Sequence, residues 1–574
     1  MLLGSMDLNL RQFQDLIRPD TAKNQDHFVW IHSDLVGMAD EFIDSNIFAM
    51  SSFTKIMNGA FRTDCFGLLT RKWTVEHLAK MFDIFMACES GQETPLIFED
   101  NPLYRFGAEK YRRRFGRCPS IKWKKQRGPV WRVFRVFTHV LVAFAAGLSK
   151  GLKITGKRKK YKVMREALWG LYDTGGHYFH DDFMVDGKKI KKDDIVLFSR
   201  GILEAGRIKA REDARKSPYA YFDLPRLRMG IGPFFLRVIP KYIFAGSRAL
   251  FSVIKSEHFS LLSDNLLYFT VKAIPYERIF SNFDVGAELG HRFSSPCHIA
   301  EAIVCGNHAA RYYLMHWSDT AIRIGNYITA HLGCDDYLLW GKAHITGVEG
   351  GKHVPRFTGY PFKKFISNVR LEKDRILTEL GVADRGKVVS FFDESFAYKC
   401  NMTPEHYVNF WEAILNFAKK NEDVVVLVKP KTLERYKNLP DGPKMDFLKL
   451  KSEVESLPNT YIVDDWKWSF IEVIGVSDCV ITQGMTSSAT IAIICGIEGL
   501  YFDEAGDNHP FRDMFKDRIV FDESGELLKM IGKIIKGEES PLKDIPEAVM
   551  REFDAHDDDA GLERLISALV GDGK

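Results

Sequence analysis

The residues of this chain that best suit the binding of an anion are two lysines and a run of hydroxyl side chains. Lys429 and Lys431 come at the end of a predicted strand, and the proline between them turns the pair away from a continuing strand. The hydroxyl residues open an apolar helix, and they are Thr486, Ser487 and Ser488. A helix N-terminus carries unpaired N–H groups and partial positive charge, which suits a phosphate. The alternatives are an ordinary Ser/Thr helix cap and a solvated strand end.

Candidates for proton transfer lie in the preceding half of the chain. His316 follows a predicted strand, 310–315, where its imidazole would serve as a base or as a phosphate contact. Asp284 and Glu288 follow a second segment that reads as a strand, 278–283, and are alternative bases. The adjacent carboxylate pairs at 181–182, 335–336 and 464–465 have no D-x-D spacing. We therefore expect no metal site.

Strands and helices alternate along the C-terminal half, and this alternation positions the candidate residues. The predicted strands there are 388–393, 423–429, 459–464, 479–482 and 500–503. Alternation of this kind is typical of a doubly wound parallel sheet, in which ligands bind at the carboxyl ends of the strands. The earlier half repeats the pattern, with strands predicted at 194–199, 219–222, 310–315 and 336–341. The fold class expected is α/β, with two doubly wound Rossmann-like domains facing a cleft.

The domain boundaries follow from these patterns. Residues 1–108 are expected to begin the N-terminal Rossmann-like domain, and residues 171–385 to complete it. Between them, residues 109–170 are expected to form a basic amphipathic helical insert. Residues 386–574 are expected to form the C-terminal Rossmann-like domain.

The insert is the strongest compositional anomaly of the chain, because residues 110–165 contain no Asp or Glu. Cations and aromatic residues precede an apolar run, as in a segment that lies in an anionic bilayer interface without crossing it. The residues expected at the membrane are Arg112, Arg113, Arg114, Lys124, Lys125, Trp131, Arg132, Phe134 and Arg135. Nucleic-acid binding and burial of the helices with basic flanks are the alternatives.

Composition limits the class of protein further. The 574 residues are 45% hydrophobic and 27% charged, with a net charge of +4, which is ordinary for a soluble protein. The nine cysteines show no CxxC pairing, which favours a reducing compartment. No apolar run reaches the roughly 20 residues that a membrane span requires, and no signal-peptide pattern opens the chain. A cytoplasmic protein, peripheral on the inner membrane, is expected.

From residue 194 onwards the chain resembles the GT-B glycosyltransferases, and most closely the bacterial surface-polysaccharide branch with Kdo transferases and CDP-glycerol glycerophosphotransferases. The resemblance rests on the two doubly wound halves, the Gly359-Tyr-Pro turn, the Lys-Pro strand end and the Thr-Ser-Ser helix start. It implies a nucleotide-sugar co-substrate, no further cofactor, and phosphate binding by Lys429, Lys431 and the hydroxyl turn. It also implies that the N-terminal domain binds the acceptor and that the C-terminal domain, residues 386–574, binds the donor nucleotide. His316 stands where that branch has a histidine within Gln-His-Gly, although both of its neighbours differ.

The residue that binds the ribose in many GT-B enzymes is absent from this chain. Many GT-B enzymes hold the ribose with a glutamate five residues before the glycine that ends the helix, and Ile491 occupies that position here. The nearest polar substitutes are Glu504, Asp507 and His509, which with Gly359 are the predicted donor nucleotide or sugar contacts. A surface loop is the alternative reading of this segment.

The sequence therefore predicts a metal-independent glycosyltransferase that moves a sugar from a nucleotide-sugar donor to a surface-polysaccharide or lipid-linked acceptor at the inner face of the membrane. A CDP-polyol phosphotransferase or a nucleotide-sugar 2-epimerase of the same fold is the first alternative. A non-enzymatic nucleic-acid-binding protein that uses the basic stretch is the second.

Overall fold

The computed structural model describes most of the chain, and every structural statement below concerns the residues it describes. These are residues 34–61, 63–89, 96–124, 128–148, 152–154, 158–167, 182–199, 219–224, 229–231, 233–291, 296–318, 330–345, 352–382, 386–394, 402–431, 435–463, 468–506 and 509–571. Lys125 and Asp507, both predicted as site residues, lie outside them.

The first part of the described chain is a helical layer with short strands. After a helical stretch at residues 34–45, its elements are α1 (Ile47–Phe61), α2 (Phe66–Glu89), β1 (Leu96–Glu99), α3 (Pro102–Phe115), β2 (Ile121–Lys124), α4 (Pro129–Leu148) and β3 (Leu152–Ile154). β1 and β2 pair only with each other. The described part of residues 1–108 therefore contributes no strand to a Rossmann-like sheet.

A seven-stranded parallel sheet follows. In chain order the elements are β4 (Lys159–Glu166), β5 (Ile195–Ser199), β6 (Ala220–Asp223), β7 (Met229–Ile231), α5 (Pro233–Ser252), α6 (Phe259–Asn282), β8 (Phe283–Gly290), α7 (Cys297–Asn307), β9 (Arg311–Met315), β10 (Gly333–Leu339) and β11 (Lys352–Phe357). The strand order is β11-β10-β9-β8-β4-β5-β6, and β7 pairs instead with β3. The winding reverses between β4 and β8, as in a doubly wound sheet.

Two expectations are wrong in this region. The strand predicted at 278–283 is wrong, because residues 278–282 end the 24-residue helix α6 and the strand β8 starts only at Phe283. A short apolar run cannot be assigned to strand or buried helix by its pattern alone. β4 falls inside the stretch predicted as an insert, yet it lies between β8 and β5 in the sheet. The N-terminal sheet therefore begins before residue 170.

The C-terminal half contains a six-stranded parallel sheet. After α8 (Lys363–Leu371) and α9 (Lys373–Glu379) come β12 (Val388–Phe392), α10 (Pro404–Lys420), β13 (Val425–Lys429), α11 (Asp441–Ser456), β14 (Thr460–Ile462), α12 (Phe470–Val476), β15 (Cys479–Gln483), α13 (Ser487–Ile494), β16 (Glu498–Phe502), α14 (Pro510–Phe515), β17 (Val520–Phe521) and α15 (Ser524–Lys536). The order β14-β13-β12-β15-β16-β17 is 3-2-1-4-5-6, with its reversal between β12 and β15.

One buried core joins the two sheets. It includes Leu197 and Tyr313 of the first sheet, Val425 and Val480 of the second, and Phe553 of the last segment. That segment contains α16 (Glu547–Phe553) and α17 (Gly561–Val570), which return to the N-terminal sheet. Two parallel, doubly wound sheets flanked by helices are the architecture that the GT-B resemblance implies, so the predicted fold class is confirmed.

Candidate active site

The carboxyl edge of the six-stranded sheet gathers both lysines and the hydroxyl turn. Lys429 ends β13 and is buried, while Lys431 lies two residues beyond it and is about half exposed. Asp393, at the end of β12, holds this loop, since it accepts hydrogen bonds from the backbone N of Lys431 and from the hydroxyl of Tyr407. The Lys431 ammonium is paired with Glu394.

The turn after β15 exposes a helix N-terminus at the same edge. Gly484 has a positive φ of 64°, which a glycine adopts without a steric cost, and the backbone N of Thr486 donates to its carbonyl at 2.9 Å. The side chains of Thr486, Ser487 and Ser488 are partly exposed, and Thr486 makes no side-chain cap hydrogen bond to α13. The ordinary cap is thus absent at this residue, and its hydroxyl remains available to a ligand.

The lysines and the turn lie on either side of the topological switch point. β13 and β15 both pair with β12, so their ends are two strand spacings apart, or about 10 Å. Asp393 and Glu394 stand between them at the end of β12. A ligand that carries more than one polar group could contact both sides of this edge.

The predicted nucleotide contacts are less well placed. Glu504 accepts a hydrogen bond from Asn409 at 2.8 Å, and burial raises the pKa of Glu504. His509 is buried as the N-cap of α14, where it accepts from the N of Phe511 and packs on Phe553. His509 is therefore part of the core, and its predicted donor contact is not available in this structure.

Gly359 lies at the junction of the two halves. A Cβ at this position would be 2.8 Å from the carboxylate of Asp554 and 3.3 Å from the guanidinium of Arg564. Arg564 also donates to the carbonyl of Thr358 at 2.8 Å. Gly359 leaves room for the returning C-terminal segment. Its contact with the donor nucleotide or sugar stays a prediction.

His316 follows β9 at the carboxyl edge of the seven-stranded sheet, as expected, but it is fully buried. Its Nδ1 lies 3.0 Å from the hydroxyl of Tyr337, and its ring packs on Trp340 and His344. Burial lowers the pKa of His316 well below its usual value, and the neighbouring His344 adds to this effect. In the described part of the chain its buried Nε2 has no hydrogen-bond partner. The neutral ring has the protonation state of a base but no access to solvent.

The two predicted carboxylate bases lie elsewhere. Asp284 is the second residue of β8, at the amino end of the sheet, where it lies 4.0 Å from the ammonium of Lys160. Glu288 is buried within β8 and accepts hydrogen bonds from the thiol of Cys305 at 3.4 Å and the hydroxyl of Tyr276 at 3.5 Å. Of the predicted bases, His316 lies at a carboxyl edge, because it follows β9. Asp284 does not, because the segment before it is a helix and Asp284 therefore lies at the start of a strand.

The basic segment divides into exposed and buried parts. Arg112, Arg113 and Arg114 end α3 on its exposed side, and Lys124 is exposed on β2. Arg132 is buried on α4, where its guanidinium contacts Asp264 at 3.3 Å and the carbonyl of Ser260 at 3.4 Å. The expectation that Arg132 faces a membrane is wrong, because the residue ties α4 to α6.

Apolar side chains, in contrast, cover the outer face of α4. Val130 is 82% exposed and Phe134 66% exposed, and Trp131 and Val142 are also exposed. Arg135 is about 20% exposed and pairs with Asp264 at 3.5 Å. No helix among the described residues is long and apolar enough to cross a membrane. The described residues also contain no group of three or more His, Cys, Asp or Glu that could hold a metal ion.

Two residues at the site were not singled out by sequence. Gln483 ends β15, accepts from the backbone N of Glu394 at 3.1 Å and donates to the carbonyl of His406 at 3.0 Å. Tyr407 holds Asp393 at 2.9 Å. Gln483 directly follows the predicted strand 479–482, and that position was its only sequence signal. Tyr407 sits within an amphipathic helix, where nothing distinguishes it from other core residues.

No protein-family model matches the chain, and no curated protein matches it in sequence. Among solved structures, the chain is similar to the wall teichoic acid polymerase TagF, with 10% identity and a TM-score of 0.43 over 77% of this chain and 97% of that one. It is also similar to the UDP-GlcNAc 2-epimerase of Neisseria meningitidis, with 10% identity and a TM-score of 0.39 over 72% and 99% of the two chains. The trehalose 6-phosphate synthase of Burkholderia multivorans is 10% identical, with a TM-score of 0.36 over 72% of this chain and 98% of that one. Similarities this distant give no evidence of activity.

Proposed function

We propose that this protein is a metal-independent glycosyltransferase that moves a sugar from a nucleotide-sugar donor to a lipid-linked or surface-polysaccharide acceptor. The observation that supports the proposal is the carboxyl edge at the switch point between β12 and β15. Two lysines and an uncapped helix N-terminus with three hydroxyls lie there, where doubly wound sheets bind their ligands. The site suits the phosphates of a nucleotide.

These residues would act on the leaving group. As the bond from sugar to phosphate breaks, negative charge grows on the departing phosphate, and Lys429, Lys431 and the N–H groups of α13 would stabilise it. Cationic side chains and a helix N-terminus can replace a divalent ion in this role. His316 would take the proton of the acceptor hydroxyl, and its neutral state at ordinary pH suits a base. Because the ring is buried, acceptor binding would have to open the region beside Trp340 and His344.

We further propose that the protein works at the inner face of the cytoplasmic membrane. The apolar outer face of α4 and the exposed cations of α3 and β2 support this, since apolar and basic groups together bind anionic bilayer interfaces. Docking there would bring a lipid-linked acceptor to the enzyme. An epimerase has no need of such a face, whereas a CDP-polyol phosphotransferase would share both the donor edge and the membrane.

A panel of ligands measured by thermal shift tests the donor site. We expect at least one of UDP, CDP, CMP, GDP or their sugars to raise the melting temperature, by the mass-action effect of binding to the folded state. Lys429→Ala and Ser487→Ala should reduce the shift relative to each variant without ligand. Lys419→Ala, an exposed lysine of α10, and Ser524→Ala, at the start of α15, are matched controls that should respond like wild type. If no nucleotide stabilises wild type, or if both site variants respond fully, the donor-site proposal is wrong.

A further inference from the structure

Glu394 occupies the topological switch point of the six-stranded sheet. It follows β12, and its backbone N donates to the side chain of Gln483 at the end of β15, at 3.1 Å. Gln483 is fixed in turn by its bond to the carbonyl of His406 at 3.0 Å. These bonds hold the backbone of Glu394 between the two strands whose divergence creates the binding crevice of such folds.

The two neighbouring carboxylates at this strand end have different surroundings. Asp393 is buried, and both of its oxygens accept hydrogen bonds, from the Lys431 backbone and from Tyr407. The Glu394 side chain is partly exposed and pairs with the ammonium of Lys431. Asp393 thus holds the lysine loop in place, whereas Glu394 pairs with Lys431 through a flexible side chain that can turn to a ligand.

A carboxylate beside lysines and a helix N-terminus weakens the binding of a simple phosphate, because the like charges repel. It favours a ligand that carries hydroxyl groups next to its phosphate, since an ionised carboxylate accepts two hydroxyl hydrogen bonds. Of the other predicted candidates that the structure describes, Glu504 accepts a hydrogen bond from Asn409 and His509 caps α14.

We propose that Glu394 binds a hydroxyl pair of the phosphorylated ligand while Lys431 turns from Glu394 to the phosphate. This inference rests on the proposed donor site and names the residue that recognises the polyhydroxylated part of the donor. The hydroxyls belong either to the ribose or to the transferred group.

Titration calorimetry on wild type and Glu394→Gln tests the assignment with four probes. These are pyrophosphate, the nucleoside diphosphate that gives the largest thermal shift, the 2′,3′-dideoxy form of that nucleotide, and its sugar conjugate. Pyrophosphate should bind the variant several-fold more tightly, because a repelling charge is gone. The nucleoside diphosphate should bind about tenfold more weakly, because charged hydrogen bonds to the ribose hydroxyls are lost. The dideoxy form should follow pyrophosphate.

The outcomes separate the sources of the hydroxyls. If the nucleoside diphosphate is unaffected while its sugar conjugate weakens about tenfold, Glu394 binds the transferred group and the proposal stands. Tighter binding of every probe by the variant overturns it, because Glu394 would then only compete for Lys431. If the variant and wild type bind every probe equally, the proposed role of Glu394 is wrong, but the donor-site proposal still stands.

Two further measurements guard against indirect effects. Glu412→Gln, an exposed glutamate of α10, should bind every probe like wild type. The unliganded melting temperature of Glu394→Gln should match that of wild type, since the substitution preserves size and shape. A wild-type protein that binds none of the probes overturns this proposal together with the proposed function.

Discussion

For some side chains of this protein, burial changes the pKa strongly from the value usual for the residue type. Burial lowers the pKa of both His316 and Lys72. Lys72 lies on α2, fully buried, and donates to the carbonyl of Ala330 at 2.9 Å. Burial lowers the pKa of Lys72 from 10.5 to about 7, and the nearby Glu76 acts in the opposite direction.

The stability of the protein should depend on pH through Lys72. Below pH 7 the lysine is charged in both the folded and the unfolded chain, so the cost of burying the charge is fully present. Between pH 7 and 10.5 the unfolded chain binds the extra proton, so the free energy of unfolding rises with pH. The full effect is on the order of 5 kcal/mol.

Lys72→Met should therefore raise the melting temperature at pH 6.5, and the gain should shrink steadily towards pH 9.5. The measurement is the difference in melting temperature between variant and wild type at several pH values. Lys55→Met replaces an exposed lysine of α1 and should show no such trend. A difference for Lys72→Met that does not change with pH would contradict the shifted pKa.

At the scale of elements, α4 shows how one helix can be both core and surface. Its inner side packs along α6 through Val136 and Arg132, while Val130 and Phe134 are exposed on the outer side. Val130 and Phe134 are four residues apart and share a helix face, so these side chains form one apolar strip. A face of this kind on a surface helix indicates an interaction site.

The strip predicts binding to anionic vesicles. Phe134→Ser combined with Val130→Ser should reduce cosedimentation with vesicles containing phosphatidylglycerol by roughly tenfold or more, since each apolar side chain removed costs about 1–2 kcal/mol of transfer free energy. Leu371→Ser is the matched control, because Leu371 is 87% exposed on α8. Vesicle binding that survives the double substitution would remove α4 from the membrane proposal.

At the scale of the molecule, the C-terminal segment fastens the two halves together. The N of Ala555 donates to the carbonyl of Trp340 at 3.0 Å, and the hydroxyl of Tyr313 donates to the carbonyl of Ala568 at 2.8 Å. Gly341 permits this approach, because a Cβ there would lie only 2.3 Å from the carbonyl oxygen of Glu552. His316 lies beside this contact, so the candidate base and the segment are neighbours.

Gly341→Ala should loosen the segment, because the added methyl group meets backbone that cannot turn aside. We expect a loss of about 1–3 kcal/mol in stability, as for other overpacked sites. Faster hydrogen exchange at residues 547–570 would locate the effect. Gly306→Ala is the control, since a Cβ at Gly306 meets no atom within 4 Å. Unchanged exchange in the Gly341 variant would show that the segment tolerates the methyl group.

Much of the fold could be predicted from the sequence because parallel strands are buried on both faces and read as continuous apolar runs. The runs at 388–393, 423–429 and 479–482 correspond to β12, β13 and β15, and the residues after them form the candidate donor edge. The same rule failed at 278–283, because a buried helix such as α6 carries equally apolar segments. It also could not show that β4, after a long basic stretch, pairs with β8 and β5.

The sequence by itself determined which residues follow strands, and hence the lysines and hydroxyls of the donor edge. Only the tertiary structure decided how each polar group is used, because partners come from distant parts of the chain. It pairs Lys431 with Glu394, places His509 in a cap, buries His316 against Trp340 and ties Arg132 to Asp264. Charge and hydrogen bonding depend on what surrounds a side chain, and sequence spacing does not record those surroundings.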